Sequence, residues 1–255
     1  MKNSGEELFW KTDDGSLIFG GKPVAHNEKD FGLEVRLGML NNIELGNTIL
    51  SVGCGLATEL KLLTKQNHMT IGLDPARDFL VSAKMKKNAQ YLVQATGEST
   101  PFRESVFDLV LLFEAIEHVM NPETTLQEIN KILKPGGKLL LTVPNRFYIL
   151  ETHGIQGSWK QVIHLGGLGL PFFSMMPNFV RKKFERARIF SQAKIVALLK
   201  KNDFEPVKIR YLMPPLDIVK QTPLVLATRR VLFCLSFVPL VKMFGMTIMI
   251  LCIRK

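Results

Sequence analysis

The chain has 255 residues, of which 46% are hydrophobic and 22% are charged, and its mean hydropathy is +0.12. This length and apolar content suffice for a large α/β domain with a buried core, and they exclude disordered, collagen-like and disulfide-scaffold proteins. The formal net charge of +10 is unevenly distributed, because residues 1–150 carry 16 Lys and Arg against 18 Asp and Glu, whereas residues 151–255 carry 17 against 5.

The cysteines and the first residues of the chain indicate its cellular location. Cys54, Cys234 and Cys252 are odd in number and far apart, so they fit neither a disulfide framework nor a CxxC metal site. The N-terminal segment is acidic where a secretion signal would be basic and then apolar. We therefore expect a cytoplasmic protein, and peripheral contact with the inner face of a membrane stays open.

Short apolar segments alternate with segments of helical periodicity from residue 48 onward. Buried parallel strands are apolar on both faces and are connected by helices, so this alternation predicts an α/β fold with a parallel sheet between two layers of helices. The predicted strands are residues 48–53, 69–74, 91–95, 107–113, 138–143, 204–211 and 246–253. The predicted helices are residues 57–66, 75–87, 122–133 and 191–202.

Two insertions interrupt this alternation within what we expect to be a single domain. Residues 145–190 and 214–244 are too long for ordinary connections and should form the acceptor site and a lid. The other expected parts are N-terminal cap helices over residues 1–45, a cofactor-binding half over 46–145, and a final helix and strands over 191–213 and 245–255.

Both insertions are apolar and basic. The first runs through HLGGLGLPFFSMMPNFVRKKF into the basic cluster Arg181, Lys182, Lys183, Arg186 and Arg188, and the second reads TPLVLATRRVLFCLSFVPLVKMF. Such segments suit contact with an anionic membrane surface, and equally a lid with a core-packing helix. The uncharged run 231–241 has 11 residues, fewer than the roughly 20 that span a bilayer. The absence of an aromatic-basic signature argues against nucleic acid as a partner.

A glycine loop follows the first predicted strand. Gly53 and Gly55 precede a predicted helix, where the missing Cβ atoms would let a ligand approach the backbone and the helix N-terminus. Asp74 ends the next predicted strand, where a carboxylate accepts hydrogen bonds from ribose hydroxyls. The alternative role for Asp74 is a helix N-cap. The loop alone would suit NAD, FAD or S-adenosylmethionine.

Four segments in order resemble the motifs of class I S-adenosylmethionine-dependent methyltransferases. They are ILSVGCGLATEL, IGLDPARDFL, QATGESTPFRESVFDLVLLFEAIEHV and EINKILKPGGKLLLTVPN. The resemblance is to the branch that includes quinone-biosynthesis and small-molecule O- and C-methyltransferases. It implies a Rossmann-like, doubly wound, seven-stranded sheet whose last strand is antiparallel, and S-adenosylmethionine as cofactor.

The resemblance also implies roles for individual residues. Gly53, Cys54 and Gly55 would line the methionine and ribose of the cofactor, and Asp74 would hold the ribose hydroxyls. Adenine recognition would fall to Thr96, Gly97 and Glu98, which stand where the family usually has Asp-Ala-Glu, with an apolar clamp by Pro75 and Phe102 as the alternative. Phe113 and Glu114 would face the sulfonium, unless Phe113 only packs in the core.

Glu114, Glu117 and His118 have ExxEH spacing, which would place them on one face if a helix started there. A metal site would need a further ligand such as His153 or His164, so we predict no metal. We predict instead that His118 is the general base in the acceptor pocket and that Glu117 assists it.

The predicted acceptor is an oxygen or carbon atom, because the Asn/Asp-Pro-Pro-Tyr signature of many amino-group methyltransferases is replaced by residues 113–116. The predicted reaction is therefore methyl transfer to a small, hydrophobic, lipid-linked or glycan-type molecule. Two alternatives stay open: a metal-dependent RNA 2′-O-methyltransferase and a non-catalytic, cofactor-binding membrane adaptor.

Overall fold

The computed structural model describes residues 9–11, 17–19, 22–23, 31–150, 172–177, 179, 187–217 and 222–255. Its N-terminal part differs from the predicted cap helices. The described residues there form a small antiparallel sheet of β1 (Phe9–Lys11), β2 (Leu17–Phe19) and β3 (Lys22–Pro23), followed by α1 (Phe31–Leu37) and a 3₁₀ turn over Gly38–Leu40.

The composition of this N-terminal segment explains the strands. Aromatic and β-branched residues such as Phe9, Trp10 and Ile18 favour strands over helices. The sequence Asp-Asp-Gly at residues 13–15 favours a turn between two such strands. Among the described residues of the predicted cap, those of α1 and the following 3₁₀ turn are helical as expected.

A seven-stranded sheet forms the centre of the molecule. Its strands are β4 (Thr48–Val52), β5 (Met69–Asp74), β6 (Tyr91–Gln94), β7 (Phe107–Phe113), β8 (Leu133–Pro144), β9 (Phe204–Leu212) and β10 (Thr247–Arg254). They lie in the order β6-β5-β4-β7-β8-β10-β9.

The directions of the strands follow the predicted Rossmann-like pattern. β4 to β8 are parallel to one another, whereas β10 lies between β8 and β9 and is antiparallel to both. The predicted seven-stranded sheet with an antiparallel last strand is therefore confirmed.

The helices lie on both faces of this sheet. Besides α1 they are α2 (Thr58–Thr64), α3 (Arg77–Met85), α4 (Pro122–Ile132), α5 (Gln192–Lys201), α6 (Pro223–Leu235) and α7 (Pro239–Lys242). The first core contains Leu50 of β4 with residues of α4 and α5, and the second core contains Ile49 with residues of α2 and α3. Successive side chains of a strand point to opposite faces, which is why one strand serves both cores.

The start of α4 shows how local sequence fixes an element. The Asn121 side chain accepts hydrogen bonds from the backbone N–H groups of Glu123 and Thr124, and Pro122 occupies the first turn. Both are favourable features of a helix N-terminus, because the first N–H groups of a helix have no partner within it.

The two insertions meet at the end of β8. The buried Asn145 amide donates hydrogen bonds to the carbonyls of Met243 (2.8 Å) and Gly245 (2.7 Å), and its oxygen accepts one from the N–H of Phe147 (3.1 Å). The second insertion contains α6 and α7. No described helix has the length and apolar character of a membrane span.

Most of the first insertion lies outside the described residues. Four members of its basic cluster, Arg181, Lys182, Lys183 and Arg186, are among the residues that are not described, whereas Arg188 is described. The expectation that residues 145–190 form an acceptor site and lid therefore stays a prediction.

Candidate active site

The predicted cofactor residues lie at the carboxyl edge of the parallel strands. Gly53 follows β4, Asp74 ends β5 and Glu114 follows β7. The strand order reverses between β4 and β7, and ligands of open α/β sheets bind in the crevice at such a reversal.

The glycine loop has an unusual backbone. Gly53, Gly55 and Ala57 all have positive φ values, of 66°, 50° and 53°. A Cβ atom on Gly53 would lie 2.6 Å from the Cβ of Ala115, so this glycine is required by packing as well as by conformation. A Cβ on Gly55 would meet nothing within 4 Å, so open space for a ligand lies beside this residue.

The Asp74 carboxylate fixes the loop to the end of β5. It accepts hydrogen bonds from the N–H groups of Gly55 and Ala76, both at 2.8 Å. The N-cap of α3 is Ala76, so Asp74 does not cap this helix. Burial raises the pKa of Asp74 above its ordinary value, although the two backbone hydrogen bonds oppose this shift. Each carboxylate oxygen keeps capacity for a second hydrogen bond.

Cys54 is a buried residue of this loop. Burial and the neighbouring carboxylates of Glu59 and Asp74 raise the pKa of its thiol well above the ordinary value. The thiol therefore stays protonated and is a poor nucleophile. The backbone N–H of Cys54 donates to the carbonyl of Leu73 at 3.0 Å, which connects the loop to β5.

Arg36 of α1 reaches the same site, although no sequence motif indicates it. Its guanidinium nitrogen Nη2 lies 3.7 Å from Oε1 of Glu114. Glu59, buried at the start of α2, accepts a hydrogen bond from the Ser51 hydroxyl at 2.5 Å. Burial raises the pKa of Glu59, and the hydrogen bond from Ser51 and the charge of Arg36 act in the opposite direction.

Two polar atoms of this group are suited to bind a ligand. Nε of Arg36 and Oε1 of Glu114 are buried and have no hydrogen-bond partner within the described ranges of the chain. Glu114 also has a positive φ of 47°, and its N–H donates to the carbonyl and the hydroxyl of Thr142. Buried polar groups are nearly always hydrogen-bonded, so these two atoms suit a ligand that supplies the missing partners.

The segment expected to recognise adenine, residues 96–98, makes most of its contacts within the protein. The Glu98 carboxylate accepts a hydrogen bond from the N–H of Met120 at 2.8 Å, which holds the turn after β7. Thr96 is exposed, and Gly97 is packed so tightly that a Cβ would lie 3.1 Å from side chains of both Val52 and Thr125.

The apolar clamp by Pro75 and Phe102 stays a prediction. Phe102 packs edge-to-face on the core residue Phe107, with ring centroids 4.9 Å apart, whereas Pro75 is exposed. Phe113 is partly buried and packs against the second core. This is the packing role expected as the alternative, and it is compatible with a position that also faces the cofactor.

Glu117 and His118 lie in a turn, not on a helix as the ExxEH interpretation required. Glu117 is buried and His118 is exposed, with 4.0 Å between Oε1 of Glu117 and Nε2 of His118. The described residues contain no group of three His, Cys, Asp or Glu placed to hold a metal ion. His153 and His164 lie outside the described residues.

Arg188 anchors this turn from the first insertion. Its guanidinium donates hydrogen bonds to the carbonyls of Val119 and Met120, the latter at 2.8 Å, and its N–H donates to the carbonyl of Glu117 at 3.2 Å. The sequence shows Arg188 only as one member of a basic cluster. Nothing in that cluster indicates which arginine would bind the backbone carbonyls of another segment.

Comparison with known proteins identifies the fold and the motif-bearing half. A family model for a methyltransferase domain matches residues 50–141. The human mitochondrial ubiquinone biosynthesis O-methyltransferase is 33% identical over 119 residues, which are 44% of this chain and 32% of the human protein. The demethylmenaquinone methyltransferase of Oceanobacillus iheyensis is 33% identical over 107 residues, which are 39% of this chain and 45% of that protein.

The chain shares the fold of an S-adenosylmethionine-dependent methyltransferase from Mesorhizobium loti, with a TM-score of 0.59 and 15% identity over 90% of this chain and 99% of the other. Residues 50–141 thus match a methyltransferase domain, and the chain shares the fold of solved S-adenosylmethionine-dependent methyltransferases. It spans about a third to a half of the length of the curated relatives it matches.

The name of the Mesorhizobium loti protein gives S-adenosylmethionine as its cofactor, and the site of the present chain fits the polar groups of this molecule. The open space beside Gly55, the remaining acceptor capacity of Asp74 and the unsatisfied atoms of Arg36 and Glu114 match a molecule that carries hydroxyl, carboxylate and ammonium groups.

Proposed function

We propose that the protein is an S-adenosylmethionine-dependent methyltransferase that transfers a methyl group to an oxygen or carbon atom of a hydrophobic, lipid-linked or glycan-type acceptor. The observation that carries the proposal is the alignment of Gly55, Asp74 and the Arg36–Glu114 pair along one sheet edge. The names of two relatives, which mention ubiquinone biosynthesis and demethylmenaquinone, support a lipophilic acceptor.

Each polar group of the site has a proposed partner on the cofactor. Asp74 would accept hydrogen bonds from the ribose hydroxyls, because it is a carboxylate at the end of β5 beside the glycine loop. Arg36 would bind the carboxylate of the methionine part, and Glu114 would bind its ammonium group. The backbone of residues 96–98 remains the candidate for adenine.

The proposed chemistry needs little from the protein beyond alignment and proton removal. When bound, the cofactor supplies a methyl group on a positively charged sulfur. The residues of the site hold the acceptor in line with that methyl group, and for a hydroxyl acceptor His118 takes the proton. The buried Glu117 carboxylate, 4.0 Å from the imidazole, would stabilise the positive charge that His118 acquires.

Cofactor binding is the first test. Isothermal titration calorimetry should show that wild-type protein binds S-adenosylmethionine, that Asp74→Ala loses most of the affinity, and that Glu104→Ala, which removes an exposed carboxylate, retains it. No binding by the wild type would contradict the proposal. An unchanged dissociation constant for Asp74→Ala would contradict the cofactor placement.

Acceptor and base are tested together by incubating lipid and glycan extracts with cofactor that carries a labelled methyl group. A labelled lipid-soluble product that disappears with His118→Ala is expected. A product formed at the wild-type rate by His118→Ala would remove the proposed base.

The metal-dependent RNA alternative is not retained. It required Glu114, Glu117 and His118 on one helix face, whereas these residues lie in turns after β7, with Glu117 buried and His118 exposed.

The proposed acceptor also bears on where the protein works. A lipid-linked acceptor lies in a membrane, so we propose that the protein is cytoplasmic and acts at the inner membrane face. The apolar and basic character of the second insertion supports this location.

A further inference from the structure

The second insertion exposes a large apolar surface. No residue of α6 or α7 is buried, and Leu224 and Leu240 are 76% and 78% exposed. We define the α6–α7 surface by the exposed large apolar side chains Leu224, Val231, Phe237, Val238, Leu240, Met243 and Phe244. Single exposed apolar residues are common on proteins, but so many within one short segment indicate an interaction site.

The opposite side of α6 is firmly attached to the domain. Arg229 donates hydrogen bonds to the Asp217 carboxylate at 3.0 Å and to the Pro215 carbonyl at 2.7 Å, and its guanidinium lies over the ring of Phe31. Phe233 packs edge-to-face on Phe31 with centroids 5.8 Å apart. The α6–α7 surface therefore faces outward from a helix with a fixed orientation.

The apolar surface continues into the first insertion. Asn145 bonds to the carbonyls of Met243 and Gly245, so the α6–α7 surface borders the segment that leaves β8. That segment exposes Phe147 and Ile149, and the carbonyl of Ile149 accepts a hydrogen bond from the N–H of the exposed Phe172. The two insertions, which we propose form the acceptor site, are thus adjacent at the end of β8. Both expose apolar side chains there.

The charge around this surface has one sign. Residues 222–246 contain three Lys and Arg, which are Arg229, Arg230 and Lys242, and no Asp or Glu. Arg230 and Lys242 are exposed. Anionic lipid headgroups complement this charge, and the acyl boundary of a bilayer accepts the apolar side chains. A second copy of the same surface would bring like charges together, which disfavours self-association.

We propose that the α6–α7 surface docks on an anionic lipid bilayer and inserts its apolar side chains into the boundary between headgroups and acyl chains. This partner deepens the proposed function, since a docked surface beside the insertions would give the site access to a lipid-linked acceptor. The binding itself requires neither cofactor nor methyl transfer.

The direct test is co-sedimentation of the full chain with vesicles of phosphatidylcholine alone and of phosphatidylcholine mixed with phosphatidylglycerol. Binding to the mixed vesicles, weakened by added salt, is expected. The double variant Leu224→Glu/Leu240→Glu should bind on the order of a hundredfold more weakly, because two apolar side chains no longer enter the bilayer. Met85→Glu, which changes an 80% exposed residue of α3, should bind like the wild type.

Several results would overturn the docking proposal. These are no binding at low salt, equal binding to both vesicle types, an equal loss in Met85→Glu, and a dimer that forms through Leu240 without vesicle binding. Calorimetry with S-adenosylmethionine on the same variants separates the two proposals, because vesicle binding without cofactor binding would contradict only the proposed function.

Discussion

Replacing Arg36 by methionine tests the part of the cofactor site that is formed by distant segments of the chain. The Arg36 side chain is only 17% exposed, and its Nε has no hydrogen-bond partner among the residues that the structure describes. If it binds the cofactor carboxylate, the lost charged hydrogen bond is worth about 1.5–3 kcal/mol. The dissociation constant for S-adenosylmethionine should therefore rise roughly 10- to 150-fold.

Two comparisons separate this effect from a loss of structure. Arg36→Lys keeps the charge but not the planar guanidinium, so its affinity should lie between those of the wild type and Arg36→Met. Arg77→Met, which removes an exposed arginine from α3, should leave the affinity unchanged. Thermal unfolding of each variant shows whether it is folded at the temperature of the titration.

Two results of the titration would refute the proposed carboxylate site. A folded Arg36→Met with the wild-type dissociation constant would show that Arg36 acts only through its charge on Glu114 and Glu59. If Arg36→Met does not fold, a folded Arg36→Lys with unchanged affinity would contradict recognition by the guanidinium.

Three further variants test other contacts. Gly53→Ala should lower the free energy of unfolding by at least about 1–2 kcal/mol, because its φ is 66° and the new Cβ overlaps a neighbouring side chain; an unchanged urea midpoint would contradict this. Against the opposing effect of desolvation, hydrogen bonds from Lys134 and Thr48 lower the pKa of Asp108 from 3.8 to about 2. Because the folded-state pKa is the lower one, this stabilisation, about 1 kcal/mol after solvent screening, is present above about pH 4 and is lost as the pH falls towards 2. The difference in the free energy of unfolding between wild type and Asp108→Asn, measured by urea titration, should therefore shrink from pH 7 to pH 3. A constant difference would refute the lowered pKa of Asp108. Arg188→Ala should reduce kcat roughly tenfold at unchanged cofactor affinity, because the turn that contains His118 loses its hydrogen bonds to Arg188, and Arg188→Lys should restore part of the activity. A wild-type kcat for Arg188→Ala would show that this turn does not need Arg188.

Local signals made much of the fold predictable. Strands that are buried on both faces give uninterrupted apolar runs, and Asn121 with Pro122 marks the start of α4 at the residue where the structure has it. The glycine loop and Asp74 were also predictable from local signals. The backbone conformation of the loop and the hydrogen bond between Gly55 and Asp74 involve residues of one strand–helix–strand motif.

Contacts between distant segments were not predictable. Arg36 and Glu114 are separated by 78 positions, and neither has a neighbouring residue that identifies the other. The ExxEH spacing suggested a shared helix face, but the structure places a turn there, which buries Glu117 and exposes His118. A sequence spacing becomes a spatial arrangement only when the secondary structure is known.

Local periodicity and motifs were enough to establish the α/β class, the succession of strands along the chain, the glycine loop and the family resemblance. Three-dimensional packing was needed to show which polar groups share the site and which apolar helix stays uncovered. An apolar run such as that of α6 has the same pattern whether it is buried or exposed, and the packing of Arg229 and Phe233 on Phe31 fixes which of its sides faces water.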